Sequence, residues 1–159
     1  MSTTSQGLPL RIVPIGHVST GHLDARRIPP QATYAPADIA RITVRAGFVD
    51  GLLGLDRYRH LWLITWLHRP DSRDTAPLRV VPRAAEAAGE VQGVFASRAP
   101  RRPNPIGLSL VRHLGTDGDV ITVAGVDLLD GTPVLDVKPW FRDCDDPRSF
   151  ETSTWLSSP

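Results

Sequence analysis

A short proline-rich segment concentrates cationic side chains that suit an anionic ligand. Residues 98–105, within the stretch SRAPRRPNPIG, contain three arginines, three prolines and one asparagine, Asn104. Each proline fixes its own φ angle and restricts the residue before it, so the loop is ordered before a ligand arrives. Guanidinium groups hold carboxylates or phosphates, and the Asn104 amide can read the edge of a base. The segment predicts a stiff cationic binding loop, with a rigid corner carrying solvated arginines as the alternative.

A second stretch, GVDLLDGTPVLDVKPW, carries three carboxylates and the only lysine of the chain, Lys138. Turn chemistry alone explains Asp130, because a glycine follows it. Asp127 and Asp136 lie among apolar residues, where a carboxylate can hold an ammonium group or ribose hydroxyls, or accept a proton. The structural alternative is a salt bridge from Asp136 to Lys138 or to an arginine.

The histidines and the cysteine point away from metal and nucleophile chemistry. His68 ends an aromatic stretch, where a structural role is the alternative to a binding one. The five histidines show neither HxH nor HExxH spacing, and the single cysteine, Cys144, excludes an internal disulfide and a multi-cysteine metal site. No GxSxG, Walker or GxGxxG motif is present, so we expect no metal and none of those nucleophiles or nucleotide loops.

Length and charge narrow the class of protein further. The 159 residues suggest one domain, and the net charge of +1 is too small for a protein that coats nucleic acid by charge alone. Of the 18 basic residues, all but one are arginines, whose planar fork suits carboxylates and phosphates. The sequence contains no apolar run long enough to span a membrane and no secretory signal, so a cytoplasmic protein is expected.

The elements that must position these groups are predicted to be mostly strands, because 15 prolines and 13 glycines punctuate the chain throughout. Residues 58–69 are predicted to be buried on both faces, a hairpin is predicted at Asp130-Gly131, and residues 83–90 are predicted to form one or two helical turns. Strands this frequent, with little helix between them, predict an antiparallel sheet closed into a barrel or a sandwich. The predicted strands are residues 10–19 (ending near Gly16), 39–48, 58–69, 78–82, 93–98, 107–115 and two within 119–140.

The proline-rich and acidic stretches together resemble the signatures of the TsaA/TrmO-like family. GVFASRAPRRPNPIGLSLV and VDLLDGTPVLDVKPW are similar to its two signatures, and residues 58–69 and 28–44 resemble its aromatic strand and its N-terminal loop. The resemblance spans residues 11–142. It implies a mainly β fold, a small antiparallel or mixed barrel with one or two short helical turns, over residues 10–145 between tails 1–9 and 146–159.

The resemblance also implies an activity and a site. The implied activity is S-adenosylmethionine-dependent N6-methylation of threonylcarbamoyladenosine at position 37 of tRNA, by a homodimer in which the proline-rich loop approaches the partner's site. Asp127 is the suggested proton acceptor, and Asn104 is a second catalytic candidate. Asn104 and Arg98 would position the substrate that accepts the methyl group. The substrate-facing residues would be Arg101, Arg102 and Asn104, and the donor would be held by Gln31, His68, Arg69, Arg98, Asp127, Leu128, Leu129 and Asp130.

The sequence departs from the family in two places. The family loop commonly reads Pro-Arg-Gln, whereas Pro30 stands at the arginine position here, with Arg26 or Arg27 as nearby substitutes. Longer members continue into a further C-terminal domain. Two other hypotheses therefore remain: the same barrel methylating a small metabolite or natural-product intermediate, and a non-enzymatic S-adenosylmethionine-binding module.

Overall fold

The computed structural model describes residues 11–24, 28–29, 31–68, 77–81, 89–146 and 148. Its eight strands are β1 (Gly16–Ser19), β2 (Ile39–Val44), β3 (His60–Trp66), β4 (Arg79–Val80), β5 (Gln92–Gly93), β6 (Ile106–Asp117), β7 (Val120–Ala124) and β8 (Pro133–Pro139). Six of them close into a barrel in the order β1-β2-β7-β6-β3-β8, while β4 and β5 form a separate two-stranded sheet. The predicted mainly β barrel is confirmed.

Every pair of neighbouring barrel strands is antiparallel. The described helical structure is short, as predicted. It comprises a single α-helical turn, α1 (Arg142–Asp145), and 3-10 turns at Ala32–Tyr34, Ala46–Leu52, Leu55–Arg57 and Val94–Ala96. No described helix has the length and apolar character needed to cross a membrane.

Strand alternation fills the interior of the barrel. β2, β3 and β6 bury every second residue, as expected for a sheet with one face toward the core and one toward solvent. β-branched residues and leucine dominate the interior, which is typical of a small barrel packed with side chains. The buried core consists of Val18, Ala40, Ile42, Val44, Leu61, Leu63, Val111, Ile121, Val123, Val126, Leu128 and Val134.

β1 is the strand that closes the barrel. Gly16 pairs with Val44 of β2 on one side and with Val134 of β8 on the other. A closed barrel leaves no unpaired strand edge. The predicted strand 10–19 is therefore wrong in its limits, because pairing in β1 starts at Gly16 instead of ending there. Pro14, which has no backbone N–H to donate, precedes the paired region.

Three further expectations are wrong in detail. The strand predicted for 39–48 ends at Val44, because a 3-10 turn begins at Ala46. Residues 93–98 form mainly a 3-10 turn, Val94–Ala96, in place of a strand. β3 is buried on one face only, since Trp62 on its outer face remains half-exposed. Most of the helical turns predicted for 83–90 lie outside the described residues.

The hairpin predicted at Asp130-Gly131 is also wrong. β7 pairs with β2 and β6, whereas β8 pairs with β1 and β3, so the two strands are not neighbours. The chain does turn at Gly131, where φ is 74°, but residues 125–132 cross the end of the barrel. The hairpin in this part of the sequence is the preceding one, which joins β6 to β7 through Gly118, where φ is 57°.

Candidate functional site

One end of the barrel gathers the segments that carry the candidate residues. They are the β1–β2 connection (described parts of 20–38), the end of β3 (67–68), the proline-rich loop (94–105) and the β7–β8 segment (125–132). We call this the loop end. Strand register places them together, because β3 ends opposite the start of β6 and β2 starts opposite the end of β7.

Backbone hydrogen bonds tie these segments to one another. Leu67 N donates to Pro105 O at 2.6 Å, which joins the end of β3 to the proline-rich loop. Asp130 N donates to His22 O at 2.9 Å, and this bond joins the β7–β8 segment to the β1–β2 connection. These bonds join the four segments in two pairs, and the contact between Arg98 and Gln31 links the two pairs.

The proline-rich loop is held from inside by one of its own arginines. Arg102 Nη1 donates to the carbonyl oxygens of Ser97 at 2.8 Å and Ala99 at 3.3 Å. Ser97 Oγ in turn donates to Val94 O at 2.9 Å. These bonds restrain the loop in addition to its prolines. One nitrogen of Arg102 is thus engaged in holding the loop, and a contact with substrate would use the remaining donors.

Arg98 and Gln31 are brought together from distant parts of the sequence. Arg98 Nη1 donates a short hydrogen bond to Gln31 Oε1. Arg98 is exposed, so its guanidinium also faces solvent at the loop end. The contact places a cationic fork beside an amide, both of which can bind polar groups of a ligand.

His68 presents a buried ring nitrogen at the end of β3. Its Nδ1 atom is inaccessible to solvent and makes no hydrogen bond within the described part of the chain. Such a group costs free energy unless it is satisfied, and unsatisfied buried groups in native proteins often mark functional positions. Arg69, the next predicted residue, lies outside the described residues, as does Pro30.

Asp127 is paired with a serine that the sequence argument missed. Ser109 Oγ donates to Asp127 Oδ1 at 2.6 Å. Ser109 lies inside the barrel on β6 and is only 5% exposed, whereas Asp127 is half-buried. Strand alternation was the available signal, because it places Ser109 between the inward positions Gly107 and Val111 and so makes it a polar residue in the core.

The other members of the predicted acidic segment also make contacts within the fold. Asp130 Oδ1 accepts a hydrogen bond from Thr20 N at 2.9 Å, which ties the segment to the end of β1. The Leu128 side chain is buried in the core, so only its backbone is available to a ligand. The carbonyl of Leu129 accepts from Thr132 N at 3.1 Å and from Thr132 Oγ1 at 2.7 Å.

The two remaining substrate-facing candidates lie in the proline-rich loop. Asn104 is exposed, and its carbonyl accepts a hydrogen bond from Ile106 N at 2.7 Å, which leaves its side-chain amide outside this turn. Arg101 is half-buried. Both precede β6 at the loop end.

Asp136 and Lys138 form the salt bridge considered as the structural alternative. Lys138 Nζ lies 2.8 Å from Asp136 Oδ2 on the outer face of β8. The hydrogen bond that Lys138 donates to this carboxylate, followed by the negative charge of Asp136, raises the pKa of Lys138. The pair lies outside the barrel, and Asp136 is not part of the loop end.

A second contact that sequence reasoning missed closes the β1–β2 connection. His22 Nε2 lies 3.1 Å from Asp38 Oδ2, near the two ends of that connection. Their separation in sequence gave no signal for the pair. Among the described residues, no group of three or more His, Cys, Asp or Glu side chains is arranged to hold a metal ion.

Comparison with known proteins relates this arrangement to a family. Residues 17–146 match the family model described as the tRNA-methyltransferase O N-terminal domain. A Methanothermobacter thermautotrophicus protein named "Probable S-adenosyl-L-methionine-binding protein" is 36% identical over 87% of this chain and 95% of its own length. The rat protein named "tRNA (adenine(37)-N6)-methyltransferase" is 30% identical over 89% of this chain.

The matches differ in how much of each relative they cover. This chain spans 33% of the rat protein's length. A crystal structure of TrmO from Pseudomonas aeruginosa superposes with a TM-score of 0.71 and 34% identity, over 87% of this chain and 59% of that one. The family model covers most of the barrel and the whole loop end. This chain therefore belongs to the family of the tRNA-methyltransferase O N-terminal domain.

Proposed function

We propose that this chain binds S-adenosylmethionine at the loop end and transfers its methyl group to N6 of adenosine 37 in a tRNA. One observation carries the proposal: the loop end combines exposed Arg98, half-buried Asp127 and a buried nitrogen of His68 that has no hydrogen-bond partner among the described residues. The names of the similar proteins support both the donor and the acceptor. The threonylcarbamoyl group on that adenosine is proposed from the family resemblance.

The side chains at the loop end fit the polar groups of this donor. Arg98 offers a fork for its carboxylate, and Asp127 offers an anion for its ammonium group or ribose hydroxyls. His68 Nδ1 lacks a partner in the described part of the chain, and a polar group of a ligand would satisfy it. When bound, the donor supplies a methyl group activated by a positively charged sulfur.

The residues of the loop end contribute mainly alignment. Methyl transfer requires the accepting nitrogen, the methyl carbon and the sulfur to lie in line, and holding them so lowers the entropic cost of reaction. Asn104 and Arg98, on a loop held by prolines and by Arg102, are proposed to orient the adenosine. The N6 nitrogen must also lose a proton, which solvent at the loop end accepts.

We expect methyl incorporation into tRNA that carries threonylcarbamoyladenosine at position 37, and none into the same tRNA without that modification. Transfer of a tritiated methyl group from the donor would measure both. Incorporation into a small-molecule fraction and not into tRNA would replace the proposed acceptor with a metabolite. Donor binding without turnover on any acceptor would leave a binding module.

The salt dependence of the reaction should separate the two kinds of acceptor. Between roughly 50 and 200 mM salt, we expect the KM for tRNA to rise about tenfold, because a few phosphate contacts are screened. The near-neutral net charge of +1 predicts fewer such contacts than a strongly basic protein makes. A KM for tRNA that is unchanged over this range would contradict binding through phosphates.

The partner proposed for the barrel is a second copy of the chain. Outward residues of β3 pair across to outward residues of β6 and form an apolar patch, the β3–β6 outer face: Trp62 with Leu110, Ile64 with Leu108, and Trp66 with Ile106. Leu108 is 59% exposed and Ile106 is 45% exposed. An apolar patch of this kind often marks a protein interface. It adjoins the proline-rich loop, which a partner seated there would meet.

A charge placed in the β3–β6 outer face should separate the two copies. We expect the wild-type chain to have twice the monomer mass in light scattering, and Leu108→Glu to have the monomer mass. Leu53→Glu is the matched control, because Leu53 is 96% exposed and lies at the end of the barrel opposite the loop end. A monomeric wild type, or a dimeric Leu108→Glu variant, would contradict this interface. We also propose a cytoplasmic location, because the proposed acceptor is a tRNA.

A further inference from the structure

The Ser109–Asp127 pair is a polar contact that links the inside of the barrel to the loop end. Ser109 is 5% exposed on β6, and its hydroxyl donates at 2.6 Å to Asp127 Oδ1. Only one hydrogen is available on a serine hydroxyl, and it is committed to the carboxylate. Asp127 Oδ2 has no hydrogen-bond partner within the described chain. One oxygen is therefore fixed and the other is left for a ligand.

We propose that Ser109 is a positioning residue, which holds the Asp127 carboxylate so that Oδ2 binds the methyl donor. This inference rests on the proposed function. It assigns a role to a residue that contacts the ligand only through Asp127. Without the serine hydroxyl, the carboxylate can rotate about its side-chain bonds, and part of the binding free energy is spent on fixing it again.

The position of the pair places it on the donor side of the site. Ser109 is anchored inside the barrel, whereas Asn104 stands exposed at the rim. A tRNA is far too large to enter a barrel filled with core side chains, so its adenosine must approach from the rim. The recessed carboxylate is therefore a fixed anion that binds the donor. Solvent at the rim receives the proton from N6.

The rigidity of the surroundings strengthens this assignment. Val126 and Leu128, which flank Asp127, are buried in the core and fix the backbone of the carboxylate. Val111, two residues beyond Ser109, is buried as well and holds the serine side of the pair. Because both backbones are fixed, the serine hydroxyl restricts the rotation that remains in the Asp127 side chain. A carboxylate held in this way binds a ligand with little loss of entropy.

Removal of the hydroxyl should weaken donor binding about tenfold, the usual scale for a lost hydrogen bond to a charged group. Ser109→Ala would be titrated calorimetrically with S-adenosylmethionine and with S-adenosylhomocysteine, which lacks the sulfonium charge. We expect both Kd values to rise by similar factors, because both ligands carry the ammonium group and the ribose. With donor saturating, kcat should change by less than about twofold.

A double-mutant cycle distinguishes positioning from a general packing effect. In the Asp127→Asn background, Ser109→Ala should cause no further loss of donor affinity, because Ser109 acts through the carboxylate. Ser109→Thr retains the hydroxyl and should bind within about threefold of wild type. Thr122→Val, which removes a hydroxyl from the outer face of β7, should bind as wild type does. Thermal unfolding of each variant checks that the barrel remains folded.

Three outcomes would overturn the inference while leaving the proposed function intact: unchanged donor affinity in Ser109→Ala, additive losses in the cycle, or a loss in Ser109→Thr as large as in Ser109→Ala. A fall in kcat at saturating donor with unchanged Kd would also overturn it and assign Asp127 to proton transfer. Absence of donor binding in the wild type would overturn the proposed function and this inference together.

Discussion

Replacing Arg98 with alanine is expected to weaken binding of S-adenosylmethionine by roughly ten- to a hundredfold, the range for loss of a hydrogen bond to a charged group. Arg98 approaches Gln31, so the change removes a cationic fork and also a contact between two segments of the loop end. Isothermal calorimetry at fixed ionic strength measures the effect. The carboxylate of the donor would lose its proposed charged partner.

Two further variants make this result specific. Arg98→Lys keeps the positive charge but cannot form two parallel hydrogen bonds, so its affinity should fall between wild type and Arg98→Ala. Arg41→Ala removes an exposed arginine from the outer face of β2 and should leave affinity unchanged. Equal affinities for Arg98→Ala and Arg41→Ala would remove Arg98 from the donor site.

Gly16→Ala is expected to destabilise the fold by about 3 kcal/mol or more, at the upper end of the usual cost of overpacking. A Cβ atom at Gly16 would lie 2.3 Å from Thr43 O and 3.1 Å from Val44 Cα, both backbone atoms of β2. Backbone atoms of a paired strand cannot rotate away as a flexible side chain can. The substitution therefore forces β1 and β2 apart where the barrel closes.

Urea unfolding followed by tryptophan fluorescence would give the free energy of unfolding for wild type and variant. Gly47→Ala is the matched control, because a Cβ atom there would meet nothing within 4 Å and its φ is not in the left-handed region. We expect that control to be neutral or slightly stabilising, since alanine restricts the unfolded chain. Equal stabilities of the two variants would show that the approach of β1 to β2 can relax.

The strands could be predicted largely from alternation, but their neighbours could not. The pattern of Ile42 and Val44 identified β2, and the inward positions of β6 follow the same rule. Pairing was misjudged because Asp-Gly occurs three times, at Asp50, Asp117 and Asp130, and this local turn signal is the same at each position. Which turn joins adjacent strands depends on contacts distant in sequence, which periodicity does not report.

The candidate site also has parts that the sequence could predict and parts that it could not. The residue types of Arg98 and Asp127 indicated a polar ligand, and the structure places both at one end of the barrel. Ser109 could have been found, because a serine at an inward position of an apolar strand needs a partner. The use of Arg102 to hold its own loop could not, since the capture of two backbone carbonyls depends on the path of the loop.

The closure of the barrel by β1 has a kinetic consequence. Gly16 pairs with Val134, so the last seam joins residues near the two ends of the barrel sequence, and such non-local pairing slows folding. The hydrogen bond that Thr20 N donates to Asp130 Oδ1 and the one that Asp130 N donates to His22 O lie beside that seam. A chain that has formed β2, β3, β6 and β7 but not the seam would lack this part of the binding end. Ligand should therefore bind only after the slowest step and reduce the unfolding rate rather than accelerate folding.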